Sequence, residues 1–340
     1  MKAIPVEQSV GAVLCHDITR IVPGGEKGPA FRRGHVVTSA DIPVLLDIGK
    51  ANLYVYDPED GYVHEDEAAI RLAAAASGQN IEISSPTEGK VTLTAATDGL
   101  LHIDVAALMA LNMMQDVTFG TIHTHQFVKK GRVLGGTRVI PLAVPEELLL
   151  QAERVCGKSA PLIQIKPLRA ARVGVVTTGS EIYSGRIKDG FGPVLGKKFG
   201  LLGSTVVSQI LVSDEVEMTV QAIRSLVDQG ADFIAVTGGM SVDPDDQTPL
   251  AIRKTGAEIV SYGAPTFPGA MFLLAYLGDI PVVGLPGCVM YHKASIFDLV
   301  VPRVLAGEKL RREDIVAFGH GGFCESCETC HYPVCGFGKA

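Results

Sequence analysis

Residues 236–246, VTGGMSVDPDD, place glycines, hydroxyls and carboxylates directly after an apolar run. Glycines let a backbone approach a ligand closely, and carboxylates at the end of a strand commonly hold a cation. Three aspartates, Asp243, Asp245 and Asp246, fall within four residues. The stretch therefore predicts a site for a cation, or for an anion held through one.

Three other loops have related chemistry and also follow predicted strands. We number the four in chain order: the first is 177–181 (TTGSE), the second 237–246 (TGGMSVDPDD), the third 265–269 (PTFPG) and the fourth 284–288 (GLPGC). Carboxyl ends of parallel strands lie at one edge of a sheet, so the loops are expected to converge. Their N–H and hydroxyl donors, with the positive ends of the following helices, would bind phosphate or another oxyanion. One such turn alone is ordinary turn chemistry, but four together favour a site.

Thiols cluster in the last seventeen residues, with the spacing C-x2-C-x2-C-x4-C at Cys324, Cys327, Cys330 and Cys335. Soft ligands at this spacing suit Zn²⁺ or an iron–sulfur cluster. The spacing is similar to the ferredoxin run, although the last gap is one residue longer and no proline follows Cys335. A mobile thiol tail without metal is the alternative. His123 and His125 alternate in a predicted strand, where they could bind a metal or form polar surface.

Apolar strands alternate with helices from Ala171 onward, which predicts an α/β fold: a three-layer, doubly wound, mostly parallel sheet covered on both faces. The predicted elements are strand 172–177, helix 192–202, strand 205–212, helix 214–228, a strand ending at 236, helix 248–255, strands 258–262 and 281–285, and helix 290–305. Upstream, we predict turns at 23–25 and 27–29, a strand at 51–56, and helices that begin at Glu65 and Pro145. The expected domains are a strand-rich segment 1–60, a mixed α+β domain 61–170, the α/β domain 171–308 and a cysteine-rich tail 309–340.

Composition excludes several classes of protein. The chain has 340 residues, 47% hydrophobic and 20% charged, which is typical of a well-packed globular protein. Its formal charge is -7 and it has no long basic run, so nucleic acid is not an expected partner. No stretch of about 18 apolar residues is present, and the first residues lack a signal-peptide core. We expect a cytoplasmic protein that does not bind membranes.

The loop motifs, together with VSDE at 212–215, resemble the molybdopterin-binding domain of molybdenum cofactor biosynthesis proteins, the family that includes molybdopterin molybdenumtransferase. The resemblance covers about 172–307. It implies a homodimer and a site at which Asp246 works with Mg²⁺ or molybdate, with Glu181 and Asp214 as further catalytic acids. An N-cap role is the alternative for Asp214. The implied ligand-binding residues are Thr178, Gly179, Thr237, Gly238, Gly239, Ser241, Pro268, Gly269, Pro286 and Gly287.

The chain also departs from the family pattern. Ala270 replaces a basic residue usual after the third loop, and Asp243 replaces a glycine. Arg32 or Arg33 could supply the missing charge from another domain or subunit. The resemblance implies a transferase that inserts molybdate into adenylylated molybdopterin with Mg²⁺. The alternatives are a carrier that delivers finished cofactor to a molybdoenzyme and, since a fold does not fix a function, a nucleotide enzyme of the same domain type.

Overall fold

The computed structural model describes residues 2–21, 27–55, 61–157 and 161–339. The turn predicted at 23–25 lies outside these residues. The chain divides into two compact units: unit 1 comprises Met1–Thr97, Ile103–Ile122 and Lys130–Gln164, and unit 2 comprises Asp98–His102, His123–Lys129 and Ile165–Ala340. The expected division into four sequence segments stays a prediction.

The elements up to residue 166 are mostly short strands. Strands in chain order are β1 Lys2–Pro5, β2 Ile18–Ile21, β3 Lys27–Phe31, β4 Asn52–Val55, β5 Tyr62–His64, β6 Ile81–Ile83, β7 Val91–Ala95, β8 Gly99–Ile103, β9 Val117–Thr121, β10 Phe127–Val128, β11 Val133–Val139, β12 Ala143–Pro145 and β13 Ile163–Lys166. Helices are α1 Asp41–Asp47, α2 Glu65–Ala76, α3 Val105–Asn112 and α4 Glu146–Cys156, with a 3-10 turn at Val6–Gln8.

Unit 1 contains a four-stranded antiparallel sheet in the order β6-β7-β11-β9 and the antiparallel pairs β1-β4, β2-β3 and β5-β12. Helix α2 starts at Glu65, as predicted, and buries an alanine-rich face. The turn predicted at 27–29 is wrong, because these residues pair with β2 as part of β3. Helices α1 and α3 are additions to the predicted elements.

The elements after residue 166 are longer. Strands are β14 Arg172–Thr178, β15 Thr205–Val212, β16 Phe233–Thr237, β17 Glu258–Tyr262, β18 Leu273–Leu277 and β19 Ile280–Leu285. Helices are α5 Ser180–Tyr183, α6 Phe191–Leu201, α7 Val216–Asp228, α8 Thr248–Lys254, α9 Cys288–Tyr291, α10 Ile296–Leu305 and α11 Arg312–Val316, followed by a 3-10 turn at Ala317–Gly319.

A six-stranded sheet in the order β15-β14-β16-β19-β18-β17 forms the centre of unit 2. The first four strands are parallel, and β18 is antiparallel to both of its neighbours. Apolar residues of α6 and α10 cover one face, and those of α7 and α8 cover the other. The predicted three-layer, mostly parallel α/β fold is therefore confirmed, with β18 as an antiparallel strand that the sequence pattern did not indicate.

The helix predicted at 290–305 is wrong in its first turn. The chain instead forms the short helix α9 and then starts α10 at Ile296. Ser295 caps α10, and the Asp298 carboxylate accepts a hydrogen bond from the Ser295 N–H. The capping box fixes where α10 begins. No helix among the described residues combines the length and the apolarity needed to cross a membrane.

Candidate ligand site at the strand ends

Strand register brings the first, second and fourth loops side by side. Thr177 of β14 pairs with Thr237 of β16, and Thr237 pairs with Leu285 of β19. The third loop follows β17, which runs in the same direction as β19 because β18 is antiparallel to both. The four predicted loops therefore leave the sheet at one edge, where α/β folds usually bind ligands.

The two glycines of the second loop are required by packing. Gly238 has φ 82° and Gly239 has φ 55°, which side chains other than glycine rarely adopt. A Cβ on Gly238 would overlap the carbonyl oxygen of Thr178, and one on Gly239 would lie 2.8 Å from Thr248 Oγ1. The first and second loops thus approach each other closely, and the backbone of Gly238 and Gly239 is half-buried between them.

Hydroxyl groups beneath the loops bind one another. Thr237 is fully buried, and its Oγ1 donates to Thr177 Oγ1 at 3.3 Å. Gln209 Nε2 donates to the same Thr177 oxygen at 2.9 Å and to Asp189 Oδ2 at 2.8 Å. Ser241, by contrast, is exposed. The Thr237 hydroxyl therefore supports the loop from below, and Ser241 is the second-loop hydroxyl open to a ligand.

Asp189 and Gln209 are supporting residues that the sequence analysis missed. Asp189 accepts hydrogen bonds from the N–H groups of Phe191 and Gly192 at the start of α6, both at 2.9 Å. An aspartate just ahead of a helix is an N-terminal signal that could have identified it. Gln209 lies inside β15, where no local pattern marks it.

Asp214 fixes the first loop. Its Oδ2 accepts from the Ser180 N–H at 2.9 Å and from Ser180 Oγ at 2.8 Å. The N-cap of α7 is Glu215, without a side-chain cap bond, so the N-cap alternative for Asp214 is wrong. Glu181 is exposed on α5, and a Cβ on Gly179 would lie 3.0 Å from its carboxylate. Glu181 is therefore part of the first loop, and Asp214, which follows β15, is hydrogen-bonded to that loop through Ser180.

Asp246 closes the second loop. Its Oδ2 accepts from the Asp243 N–H at 2.9 Å, and it is half-buried, whereas Asp243 and Asp245 are exposed. Burial, and then the nearby Asp246 charge, raise the pKa of Tyr262. Across the described residues, the carboxylates of Glu181, Asp214 and Asp246 do not form a group with ligand atoms within 4.8 Å of one another. The structure does not gather all three around one point.

The third and fourth loops present aromatic surface. Phe267 and Tyr291 are 57% and 79% exposed, and Gly287 is exposed while Pro286 is buried. A Cβ on Gly269, at φ 138°, would lie 2.5 Å from Ile296 Cβ, so this glycine and its neighbour Pro268 follow the start of α10 closely. The buried Thr266 hydroxyl has no hydrogen-bond partner in the part of the chain that the structure describes.

Helix dipoles contribute less than we predicted. The helices α5 and α9, which follow the first and fourth loops, have four residues each, and α8 has seven. A macrodipole requires several aligned peptide units. The donors for an anion are therefore the N–H groups of the loops rather than the ends of long helices.

The predicted histidine strand is wrong: residues 123–125 lie in a turn, and His125 has φ 59°. His125 Nε2 and His102 Nδ1 each lie 3.9 Å from Glu308 Oε1, the one group of three metal-ligand side chains within 4.8 Å among the described residues. Lys166 and Arg303 already pair with Glu308 at 3.2 and 2.7 Å. Because two cations neutralise this carboxylate, the cluster is an ion-pair network rather than a cation site. Burial, and then Arg303, lower the pKa of His125 to about 4.

The tail thiols differ in exposure and do not form a preassembled tetrahedron. Cys327 and Cys330 are exposed, Cys324 and Cys335 are half-buried, and all four are unbridged. No three of their sulfurs lie within 4.8 Å of one another. All four nevertheless line one cavity of about 320 Å³ in unit 2.

Arg33, one of the two arginines considered as a source of the missing positive charge, pairs with Asp66 within unit 1.

Sequence comparison identifies the class of the α/β domain. Residues 174–306 match the family model described as probable molybdopterin binding domain, and residues 3–57 match a domain of unknown function. The first match includes all four loops. Residues 174–306 are thus a member of the molybdopterin-binding domain family of molybdenum cofactor biosynthesis, and the resemblance seen in the loop motifs is confirmed.

Curated relatives share part of this domain. A CinA-like protein of Mycobacterium avium (strain 104) is 34% identical over 92 residues, which cover 27% of this chain and 21% of the relative. One from Mycolicibacterium gilvum (strain PYR-GCK) is 37% identical over 85 residues, covering 25% and 20%. The chain therefore spans about a fifth of the length of the curated relatives it matches.

Similar solved structures include a tungsten cofactor synthesizing protein, MoaB, from Pyrococcus furiosus, with 20% identity, a TM-score of 0.35, and coverage of 42% of this chain and 99% of that one. The CinA protein of unknown function from Thermoplasma acidophilum has 20% identity, a TM-score of 0.29, and coverage of 35% and 89%.

Proposed function

We propose that the four loops bind molybdopterin and that the chain acts in molybdenum cofactor biosynthesis. The observation that carries the proposal is that the family match coincides with the loops that the sheet register brings to one edge. The half-exposed backbone N–H groups of Gly238 and Gly239 would donate to the terminal phosphate of the pterin, together with Ser241. Thr178 and Gly179 would form the other side of this phosphate site.

A divalent cation fits the charge of such a ligand. The four loops contain no lysine or arginine, so backbone donors and a bridging cation must compensate the phosphate charge. Mg²⁺ binds through one or two carboxylates and takes its other ligands from water and phosphate. Half-buried Asp246 is the first such carboxylate in this proposal, and the second is Glu181 of the first loop or Asp214, which bonds Ser180 of that loop.

The pterin ring has a complementary surface at the same edge. Phe267 and Tyr291 expose aromatic faces beside the third and fourth loops. Stacking on such rings is favourable for a flat heterocycle with polar edges. Pro268, Gly269, Pro286 and Gly287 would shape the backbone around that ring.

Two functions are consistent with this arrangement. In the first, the protein is a transferase: Asp246 and Mg²⁺ position molybdate at the dithiolene of adenylylated molybdopterin, and catalysis comes from positioning and charge compensation. In the second, the protein is a carrier that passes finished cofactor to a molybdoenzyme. Ala270, in place of the basic residue usual for the inserting branch, favours the carrier. A homodimer and a soft metal in the tail, Zn²⁺ or an iron–sulfur cluster, complete the proposal.

The test is a purified assay with adenylylated molybdopterin, molybdate and Mg²⁺, measuring ligand affinity and cofactor formation separately. For the transferase, Asp246→Asn lowers formation at least about 10-fold, since removal of a metal-site carboxylate typically has an effect of that order. Asp245→Asn is the matched control, because this neighbouring acid is exposed. Normal formation by Asp246→Asn would remove Asp246 from the mechanism.

Tight binding without formation would establish the carrier instead. In that case, adding a molybdenum-free molybdoenzyme should release the bound cofactor to it. Failure of the wild-type chain to bind either form of molybdopterin would contradict both versions of the proposal.

A further inference from the structure

The cavity of about 320 Å³ that the four tail cysteines line shares Tyr291 with the aromatic surface beside the fourth loop. In addition to the thiols, the cavity is lined by Tyr291 at the end of α9 and the following residues to Ala294, and by Phe323, Tyr332 and Phe337. Thiols are uncommon side chains, and four of them around one cavity form a chemically uniform set of soft ligands.

The walls of the cavity are fixed by the fold. Phe337 is 4% exposed within the core of unit 2, and the Tyr332 hydroxyl donates to the Asp298 carbonyl at 3.0 Å. The Cys324 N–H donates to the Phe267 carbonyl at 2.8 Å, and the Phe267 N–H donates to the Gly322 carbonyl at 2.8 Å. Between 320 and 339 the described chain contains no helix and no extended strand. A short segment of this kind is commonly stabilised by a metal centre.

Spacing along the chain distinguishes between soft metal centres. Three of the four thiols, Cys324, Cys327 and Cys330, come from one run of seven residues. Iron–sulfur clusters take three ligands from such a C-x2-C-x2-C run, whereas structural zinc usually takes its ligands as two separated pairs.

The spacing between the sulfurs is compatible with a cluster, and the sulfurs do not form an assembled zinc tetrahedron. In a tetrahedral zinc site, with Zn–S of about 2.3 Å, the sulfurs lie about 3.8 Å apart. Here no three cysteine sulfurs lie within 4.8 Å of one another, although all four line one cavity. A four-iron cluster requires the wider arrangement because each thiolate bonds a different iron.

The remaining cysteines are unsuited to this chemistry. Cys15 and Cys156 are buried, Cys288 is half-buried, and burial raises the pKa of all three thiols, that of Cys156 to about 11. A raised pKa disfavours the thiolate that binds metal. Cys327 and Cys330 are exposed, so iron can reach them from solvent.

We infer that Cys324, Cys327, Cys330 and Cys335 hold one four-iron iron–sulfur cluster next to the third and fourth loops. Each thiol loses its proton as its sulfur bonds iron, inorganic sulfide provides the bridging atoms, and two ferrous and two ferric ions supply the iron of the oxidised cluster, so no separate oxidant is needed. The proposed function leaves the tail metal open between zinc and a cluster, and this inference selects the cluster. It does not depend on whether the loops bind molybdopterin.

The experiment is anaerobic reconstitution of the full chain with equal amounts of ferrous and ferric iron and with sulfide, followed by desalting and analysis of iron, sulfide and zinc. We expect about four irons and four sulfides per chain, with visible absorption that bleaches on reduction. Cys327→Ser and Cys330→Ser should each lower bound iron at least about 5-fold. Cys15→Ala is the control, because it removes a thiol from unit 1.

Three outcomes would overturn the inference. The first is one tightly bound zinc that iron and sulfide do not replace. The second is wild-type iron binding in both serine variants, and the third is iron bound without sulfide. Circular dichroism of each variant establishes that a loss of iron is not a loss of fold. A molybdopterin-binding measurement on the same samples keeps the result separate from the proposed function.

Discussion

The strand-end loops and the cysteine tail lie in the same unit but are positioned by different means. Strand register and the contact of Gly238 with Thr178 fix the first two loops. The tail depends on the buried Phe337 side chain, on Tyr332 and on backbone bonds to Phe267. We therefore expect the first two loops to retain their geometry as long as the sheet is folded, and the tail to detach more readily than the sheet unfolds.

Replacing the aromatic anchor should have the largest effect. Phe337→Ala removes a buried ring, a change that typically costs about 3–5 kcal/mol. We expect this cost to be borne by docking of the tail, so limited proteolysis should cleave the variant within residues 320–339 at least about 10-fold faster. Val334→Ala is the control, because Val334 is 65% exposed in the same segment.

Denaturant unfolding of the sheet, followed by circular dichroism, should change little in Phe337→Ala. If the global midpoint falls as much as the tail protection does, the tail is part of the cooperative unit and the contrast with the loops is broken.

A Cβ in the second loop should have the next largest effect, and on the whole unit. Gly238→Ala combines a left-handed backbone with an overlap against Thr178, so we expect a loss of about 1–3 kcal/mol in the free energy of unfolding. Gly200→Ala is a matched control: it lies inside α6, and its Cβ would meet nothing within 4 Å. That change should stabilise the protein by about 0.5–1 kcal/mol.

Urea unfolding of the two variants measures this difference. Equal stabilities for Gly238→Ala and Gly200→Ala would mean that the second loop rearranges locally around the added Cβ, as the tail is expected to rearrange without loss of the sheet.

The smallest effect is a dependence of folding stability on pH, which must be allowed for when the loops and the tail are assayed at different pH values. The pKa of His125 is about 4 in the folded protein, below its usual value of 6.5, so the unfolded chain binds its proton first as pH falls. Stability should therefore decrease from about pH 6.5 to 4 and change no further through this group below that range. Because a third of the side chain is exposed, solvent screening reduces the expected effect to about 1 kcal/mol.

His125→Asn should flatten this part of the dependence of unfolding free energy on pH. Exposed His320 provides the control, His320→Asn. If the unfolding free energy of His125→Asn still decreases between about pH 6.5 and 4 as it does in the wild type, other groups around Glu308 determine this decrease.

Periodic apolar sequence predicted the sheet well. The strands 205–212 and 258–262 agree with β15 and β17 residue for residue, because each alternates or runs apolar between clear turn signals. The break between α9 and α10 was missed, although Ser295 and Asp298 have the spacing of a capping box and could have indicated it. The antiparallel strand β18 was missed because its run LLAYL fits a buried helix as well as a strand.

The site was less predictable, since tertiary contacts decide which groups face a ligand. The family resemblance implied that Thr237 binds the ligand. In the structure, its hydroxyl donates to Thr177 Oγ1 beneath the loop. His123 and His125 alternate in sequence, yet a left-handed residue at His125 places them in a turn. The roles proposed for Asp246, Glu181 and Asp214 remain predictions that the assays above address.

Phe267 makes the third loop and the tail interdependent. Its N–H and carbonyl bond Gly322 and Cys324, so neither backbone group is available to the sheet. A chain shortened before residue 320 would leave both groups to solvent or unsatisfied, at a cost of about 1–3 kcal/mol for each that stays buried. A descendant of this protein could therefore lose its thiols one at a time, but not the twenty residues that carry them, without remodelling a loop of the neighbouring site.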